Sequence, residues 1–129
     1  MEILIAARDK TVRSALILLI KYNCQNDSIM DAWDLLGFLE NLRNNETDLV
    51  IIEWGFFFGD NPEMMLLLKK AYPGLPFIVT GISREIKKEA FDSNMDAFYL
   101  KSDSPEELLK LINSFRKKTG LEPVKEKMA

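Results

Sequence analysis

Short apolar runs alternate with amphipathic helical patterns along this chain, and that alternation restricts the folds open to it. The apolar runs lie at Glu2 to Ala6, Asp48 to Ile52, Pro76 to Thr80 and Asp96 to Leu100. A strand can dispense with polar alternation only when both of its faces are buried, which is typical of a parallel sheet between two layers of helices. We therefore predict an α/β fold.

The other elements are predicted from apolar spacing and from turn residues. Ser28 to Met30 is predicted as a short second strand. The predicted helices run from Thr11 to Tyr22, from Ala32 to Arg43, from Glu63 to Tyr72, from Ser83 or Arg84 to about Ser93, and onward from Ser104 and Pro105. On the first helix, Arg13 is predicted to remain in solvent.

Composition indicates one soluble domain. The chain has 129 residues, of which 47% are hydrophobic and 29% charged, so residues 1–118 can form a single core. The charged segment 119–129 is predicted to be a flexible tail. We expect no output domain and a module that stands alone.

The same composition argues against several classes of protein. A net charge of −3 does not favour nucleic-acid binding. The longest apolar stretch, Ala15 to Ile20, is far short of the roughly 20 residues that a membrane span needs. No signal-peptide pattern is present and Cys24 is the one cysteine, so a cytoplasmic location is expected. The absence of histidine excludes His-dependent triads and His-ligated metal sites.

Polar and charged residues stand where the predicted strands end. Ligands of parallel α/β folds bind at the carboxyl ends of the strands, and the residues at those ends are Ala7, Arg8 and Asp9, then Glu53, Thr80 and Lys101. Glu53 stands where the run Asp48 to Ile52 leaves the predicted sheet and enters a loop. These six positions are the predicted functional site.

The arrangement resembles the receiver domain of two-component response regulators, from Met1 to about Arg116. Features in common are the hydroxyl of Thr80, the lysine Lys101, the aromatic Phe98 three residues before it, and the segment Ser104-Pro105-Glu106-Glu107-Leu108. The resemblance implies a flavodoxin-like, three-layer (βα)5 fold with a five-stranded parallel sheet in the order 2-1-3-4-5.

The resemblance includes two departures. Family members usually have aspartates at the positions of Ala7, Arg8 and Asp9, and an aspartate that accepts phosphate at the position of Glu53. Magnesium prefers carboxylate and water oxygens, whereas Ala7 offers no ligand and Arg8 repels a cation. We expect weak or absent magnesium binding, no cofactor, and no enzymatic activity beyond vestigial autophosphotransfer.

Charge also suggests how the altered pocket is neutralised. Arg8 and Glu53 are expected to project into one pocket, where a guanidinium can hold a carboxylate bidentately, with Lys101 as a second cation nearby. In the family, phosphate draws the hydroxyl residue inward and the aromatic follows. Glu53 can imitate part of the phosphate charge and hold Thr80 and Phe98 in one state; alternatively, Arg8 captures Glu53 and leaves Thr80 free.

An aromatic loop follows Glu53 and contains Phe56, Phe57 and Phe58. Exposed contiguous aromatics usually mark an interface. The alternative is that the loop folds over the pocket, packs inside and excludes water. The sequence favours neither arrangement over the other.

Three functions are compatible with these patterns. The first, which we favour, is a receiver-like signalling module that acts without phosphorylation. It would bind a histidine kinase, an output protein or its own copy through the surface around Phe98, Tyr99 and the last helix. The second is a working phosphoacceptor that uses an atypical carboxylate. The third is a small flavodoxin-like domain that binds a nucleotide or another anion, although no glycine-rich phosphate loop supports it.

Overall fold

The computed structural model describes residues 1–57, 62–92 and 94–118. The strands are β1 Glu2–Ala6, β2 Ser28–Ala32, β3 Leu49–Glu53, β4 Phe77–Gly81 and β5 Ala97–Leu100. The helices are α1 Lys10–Asn23, α2 Leu35–Asn44, α3 Pro62–Ala71, α4 Arg84–Asp92 and α5 Pro105–Lys118. The predicted tail 119–129 and Phe58 lie outside the described residues.

All neighbouring strands are parallel, in the order β2-β1-β3-β4-β5. Both faces of the sheet are covered. One apolar cluster joins the sheet to α2, α3 and α4 and includes Phe38, Phe77 and Met65. The other joins it to α1 and α5 and includes Ile20 and Leu108. This confirms the predicted flavodoxin-like α/β fold and its strand order.

The central strands are buried as their apolar sequences predict. Leu49, Val50, Ile51 and Ile52 of β3 have no exposed surface. Only Glu53, the last residue of that strand, is partly open to solvent. The sequence had predicted that this strand ends at Ile52, one residue earlier. Glu53 instead belongs to the strand, and the sheet therefore sets the direction of its backbone.

The predicted start of the second helix was wrong. The strand β2 continues to Ala32, and α2 begins only at Leu35, because Asp34 is its N-cap. The Asp34 side chain accepts a hydrogen bond from the Gly37 amide at 2.8 Å, which satisfies a donor that the helix leaves unpaired. Trp33 therefore lies before the helix and is 60% exposed.

A buried ion pair ties the amino-terminal end of the sheet together. Arg116 of α5 contacts both carboxylate oxygens of Asp27, and its Nη1 lies 2.8 Å from Oδ1. The Met1 amino group donates to the same Oδ1 at 2.9 Å. Burial acts to raise the pKa of Asp27, but hydrogen bonds and charge from Arg116 and the amino group outweigh it and lower that pKa.

Cys24 lies beside this pair and is 3% exposed. Burial raises the pKa of its thiol, and the Asp27 charge raises it further. A thiol with a raised pKa carries little thiolate at neutral pH and is a poor nucleophile.

Among residues 1–57, 62–92 and 94–118, no helix combines the length and apolar character that a membrane span needs.

Candidate functional site

The predicted site residues meet at the carboxyl edge of the sheet. Glu53 is paired in register with Thr80, and Thr80 with Tyr99. Neighbouring strands are about 4.8 Å apart, so these side chains share one patch. Lys101 follows β5 directly, and its amide donates to the Gly81 carbonyl at 2.8 Å. The sheet thus brings a carboxylate, a hydroxyl and an ammonium group together from three strands.

The ion pair of Glu53 is with Lys101 rather than with Arg8. The Lys101 ammonium donates to Glu53 Oε2. The side chains of Lys101 and Glu53 are 31% and 18% exposed. The pair is therefore half-open: solvent reaches it, and its members can exchange partners more readily than a fully buried pair.

The alternative in which Arg8 captures Glu53 is not the observed arrangement. The Arg8 Nε donates to the carbonyl of Phe56 at 2.8 Å, and its guanidinium carbon lies 5.3 Å from the centroid of the Phe56 ring. A carbonyl acceptor and an aromatic face both attract a guanidinium. These contacts turn Arg8 toward the loop after β3.

That loop turns at once, because Gly55 adopts a φ of 89°, which side chains other than glycine rarely permit. Phe56 and Phe57 are consequently buried, at 1% and 5% exposure. Their rings pack on each other and on Phe38, with centroid separations of 5.3 to 5.6 Å. Two arrangements were predicted for this loop, packing inside or forming an exposed interface. Phe56 and Phe57 pack inside.

Thr80 is 1% exposed, and its hydroxyl has no hydrogen-bond partner among the described residues. Neither sequence-predicted state matches this arrangement in full. Glu53 is captured by a cation, as in the second alternative, but the cation is Lys101. The Thr80 hydroxyl is consequently not engaged by Glu53.

Phe98 and Tyr99 lie on opposite faces of β5, as alternation along a strand requires. Phe98 packs against the cluster on the α2, α3 and α4 side. A Cβ atom at Gly81 would come within 2.9 Å of the Phe98 ring, so the ring can lie this close only because position 81 is glycine.

Tyr99 is 8% exposed and belongs to the other cluster. Its hydroxyl donates to the Asp103 carbonyl at 2.9 Å. Burial, followed by the Asp103 charge, raises the pKa of Tyr99. The predicted interaction surface therefore needs correction, because Tyr99 is an inner residue and Phe98 alone of this pair reaches toward the surface on the α4 side.

The residues at the end of β1 offer few ligands for magnesium. Ala7 is fully buried and offers no ligand. Asp9 is the N-cap of α1, where its Oδ1 accepts from the amides of Thr11 and Val12 at 2.7 and 3.1 Å. In the described part of the chain, no group of three or more potential ligands could hold a metal ion. The donor set does not fit a metal that prefers several free oxygen ligands.

Arg13 was missed by the sequence reasoning, which left it in solvent. Its side chain is 12% exposed and pairs with Asp31 at 3.2 Å. Its Nη1 donates to the carbonyls of Ala7 and Arg8 at 2.9 and 3.1 Å. Arg13 therefore fixes the backbone at the end of β1. The signal in the sequence is a charge in the first turn of α1 with an acid, Asp31, at the same edge of the sheet.

Several solved structures that share this fold are receiver domains. The receiver domain of Francisella response regulator 1452 is 25% identical with a TM-score of 0.74, covering 92% of this chain and 98% of that one. A response regulator receiver domain protein from Methanospirillum hungatei is 18% identical with a TM-score of 0.77, over 92% and 95%. The signal receiver domain of an HD domain-containing protein from Pseudomonas fluorescens is 20% identical with a TM-score of 0.79, over 92% and 96%.

No protein-family model matches the sequence, and no curated protein matches it. The similarity to the solved structures extends over nearly all of the chain and over nearly all of each of those domains. The fold is therefore that of receiver domains.

Proposed function

We propose that this chain is a receiver-type signalling domain that works through protein contacts without being phosphorylated. The observation that carries the proposal is the ion pair between Lys101 and Glu53, at an edge of the sheet where Ala7 and Arg8 supply no carboxylate. It joins two positions that correspond, in the receiver resemblance, to the retained lysine and the phosphoacceptor. Lys101 is then the cation beside Glu53, and Ala7 and Arg8 supply no carboxylate that could bring a metal ion to it.

The charge around the pair supports the same proposal. Phosphorylation of a receiver-type carboxylate needs a cation to neutralise the phosphoryl oxygens, and the donor set at the end of β1 does not fit magnesium. Asp9 is occupied as a helix cap. Autophosphotransfer is therefore at most vestigial, and the chain acts as a binding module rather than as an enzyme.

The surface beside Phe98 is where we place the partner. A depression of about 270 Å³ there is lined by Arg84, Lys87, Phe98, Leu100 and Asp103. Two cations beside a half-buried aromatic ring suit a protein partner that presents acidic and apolar side chains. A histidine kinase, an output protein or a second copy of the chain are the candidates.

Restoring the missing acids tests the proposal. The variant carrying Ala7→Asp, Arg8→Asp and Glu53→Asp should bind magnesium, because it supplies carboxylates where the family has them. A matched control carries Ala7→Asp and Arg8→Asp but keeps Glu53. Magnesium titrations followed by amide NMR should shift the resonances around the site in the triple variant and leave the unaltered protein unchanged.

The proposal fails if the unaltered protein binds magnesium and takes up a phosphoryl group from a small donor such as acetyl phosphate. Intact mass would report that uptake directly. A triple variant that folds but binds no magnesium would also count against a receiver-like geometry at this edge.

A further inference from the structure

A small cavity opens at the carboxyl edge of the sheet, on the side covered by α1. Its volume is about 200 Å³, and its lining residues are Val12, Ala15, Leu16, Thr80, Tyr99 and Lys101. We propose that this cavity binds a small neutral molecule that has a carbonyl-type acceptor and a compact apolar body. The apolar walls of the cavity require the apolar body of the ligand, and the hydrogen-bond donors require the acceptor. The charge of the site requires a neutral ligand.

The polar end of the cavity offers hydrogen-bond donors. The Thr80 hydroxyl is buried without a partner among the described residues, and leaving such a group unpaired is costly. The Lys101 ammonium has three donors and directs a hydrogen bond to Glu53. The Tyr99 hydroxyl already donates to Asp103. The Thr80 oxygen has less than 1 Å² of accessible surface, so rotation of its side chain about χ1 is needed to aim the hydroxyl into the cavity. A ligand that then accepts a hydrogen bond from Thr80, with Lys101 close by, satisfies this end.

The charge of the site favours a neutral acceptor over an anion. Glu53 neutralises Lys101 across the ion pair. A ligand carboxylate placed near Lys101 would also lie near the Glu53 carboxylate and be repelled by it. A carbonyl oxygen accepts the same hydrogen bonds without that repulsion.

The rest of the lining sets the size and polarity of the ligand. Val12, Ala15 and Leu16 come from one face of α1 and present only hydrocarbon. An apolar cavity of about 150 Å³ is large enough for benzene. The cavity here therefore has room for a benzene ring bearing a short acyl group, and its lining includes Ala15, which is exposed.

The position of the cavity suggests what a ligand would do. Thr80 stands at the receiver position whose hydroxyl responds to phosphate, so a molecule that engages it would supply an input by another route. This role rests on the proposed function. The binding chemistry itself depends only on the cavity and its donors.

Three probes of similar shape test the proposal: acetophenone, ethylbenzene and benzoate. Amide and methyl NMR of the full chain should show acetophenone shifting Val12, Leu16 and Thr80, with an affinity about tenfold higher than that of ethylbenzene because of its acceptor. Benzoate should bind more weakly than acetophenone. Thr80→Val should abolish the advantage of acetophenone over ethylbenzene, and Thr80→Ser should retain it.

Several outcomes would overturn the inference. They are equal affinities for acetophenone and ethylbenzene, tighter binding of benzoate, or no localised shift from acetophenone up to its solubility limit. Leu16→Phe should fill the cavity and remove binding of all three probes; a folded variant that still binds them would exclude this cavity. If that variant does not fold, the comparison of the three probes on the unaltered protein decides.

These results are independent of the magnesium titrations. Loss of the cavity proposal would leave the phosphorylation-independent function standing, and uptake of phosphate by the unaltered protein would leave the cavity measurements unchanged.

Discussion

Two ion pairs occupy opposite ends of the same sheet, and they differ chiefly in burial. At the amino-terminal end, the side chains of Asp27 and Arg116 are 2% and 4% exposed. At the carboxyl end, those of Glu53 and Lys101 are 18% and 31% exposed. When a pair without solvent access exchanges partners, a buried charge is left unpaired, which costs several kcal/mol. A half-open pair can exchange partners at a lower free-energy cost because water solvates the separated charges. The comparison separates an ion pair that holds the fold from one on which the proposed function depends.

The hydrogen bonding around the two ion pairs also differs. Both oxygens of Asp27 are occupied, by Arg116 and by the Met1 amino group. The pair at the other end lies beside a buried hydroxyl, that of Thr80, which has no partner in the described part of the chain. The Asp27–Arg116 pair has its carboxylate oxygens satisfied, whereas the Glu53–Lys101 pair lies beside unused hydrogen-bonding capacity.

The largest expected effect is at the buried pair. Arg116→Met should lower the free energy of unfolding by about 3–5 kcal/mol, because it leaves the Asp27 carboxylate buried without its main partner. Urea unfolding followed by circular dichroism measures this. A double variant with Asp27→Leu should recover part of the loss, since no buried charge then remains. A loss under about 1 kcal/mol in the single variant would remove the distinction between the two pairs.

Acid should act on the same end of the molecule. The pKa of Asp27 is lowered in the fold, so its contribution to stability is present above the unfolded value of about 3.9. That contribution is lost as the pH falls through the folded pKa. The stability of the unaltered protein should therefore decline more steeply below about pH 4 than that of Arg116→Met. Parallel curves from urea melts across this range would contradict the assignment.

A smaller effect of opposite sign is expected at the carboxyl end. Thr80→Val keeps the shape of the side chain and removes a hydroxyl that is buried without a partner. The variant should be as stable as the unaltered protein or more stable by about 1 kcal/mol. Thr80→Ser, which keeps the hydroxyl, is the matched control. Clear destabilisation by valine would mean that the hydroxyl has a structural partner.

The smallest effect on stability is expected at Glu53. Glu53→Gln should cost about 1 kcal/mol or less, because half-open ion pairs contribute little. It should nevertheless alter partner binding or oligomeric state, which light scattering and NMR can follow. Glu107→Gln is the control, since Glu107 pairs with Lys110 at 3.3 Å in an exposed position on α5. An effect on melting alone at Glu53 would argue against a signalling role.

Much of the architecture could be predicted from the sequence. The apolar runs predicted the central strands to within a residue, and β1 has the predicted bounds. The carboxyl ends of parallel strands lie together at one edge of a sheet, so Glu53, Thr80 and Lys101 could be grouped from the sequence alone. Local capping was less predictable: Asp34 delayed the start of α2.

The contacts that were not predicted depend on side-chain directions and on distant partners. Arg8 turned to the carbonyl and ring of Phe56, which required knowing how the loop bends at Gly55. Asp27 and Arg116 are 89 positions apart, and no local pattern links them. Periodicity reports which face of an element is buried, but it does not report which of several nearby cations a carboxylate will choose.

The most direct test of the central claim is an amide NMR spectrum of the unaltered protein with and without magnesium and beryllofluoride, a mimic of the phosphoryl group. Ala7 and Arg8 supply no carboxylate for a metal ion beside Glu53, so we expect an unchanged spectrum around Glu53, Thr80 and Phe98. Localised shifts at those three residues would contradict the account and identify the chain as a working phosphoacceptor.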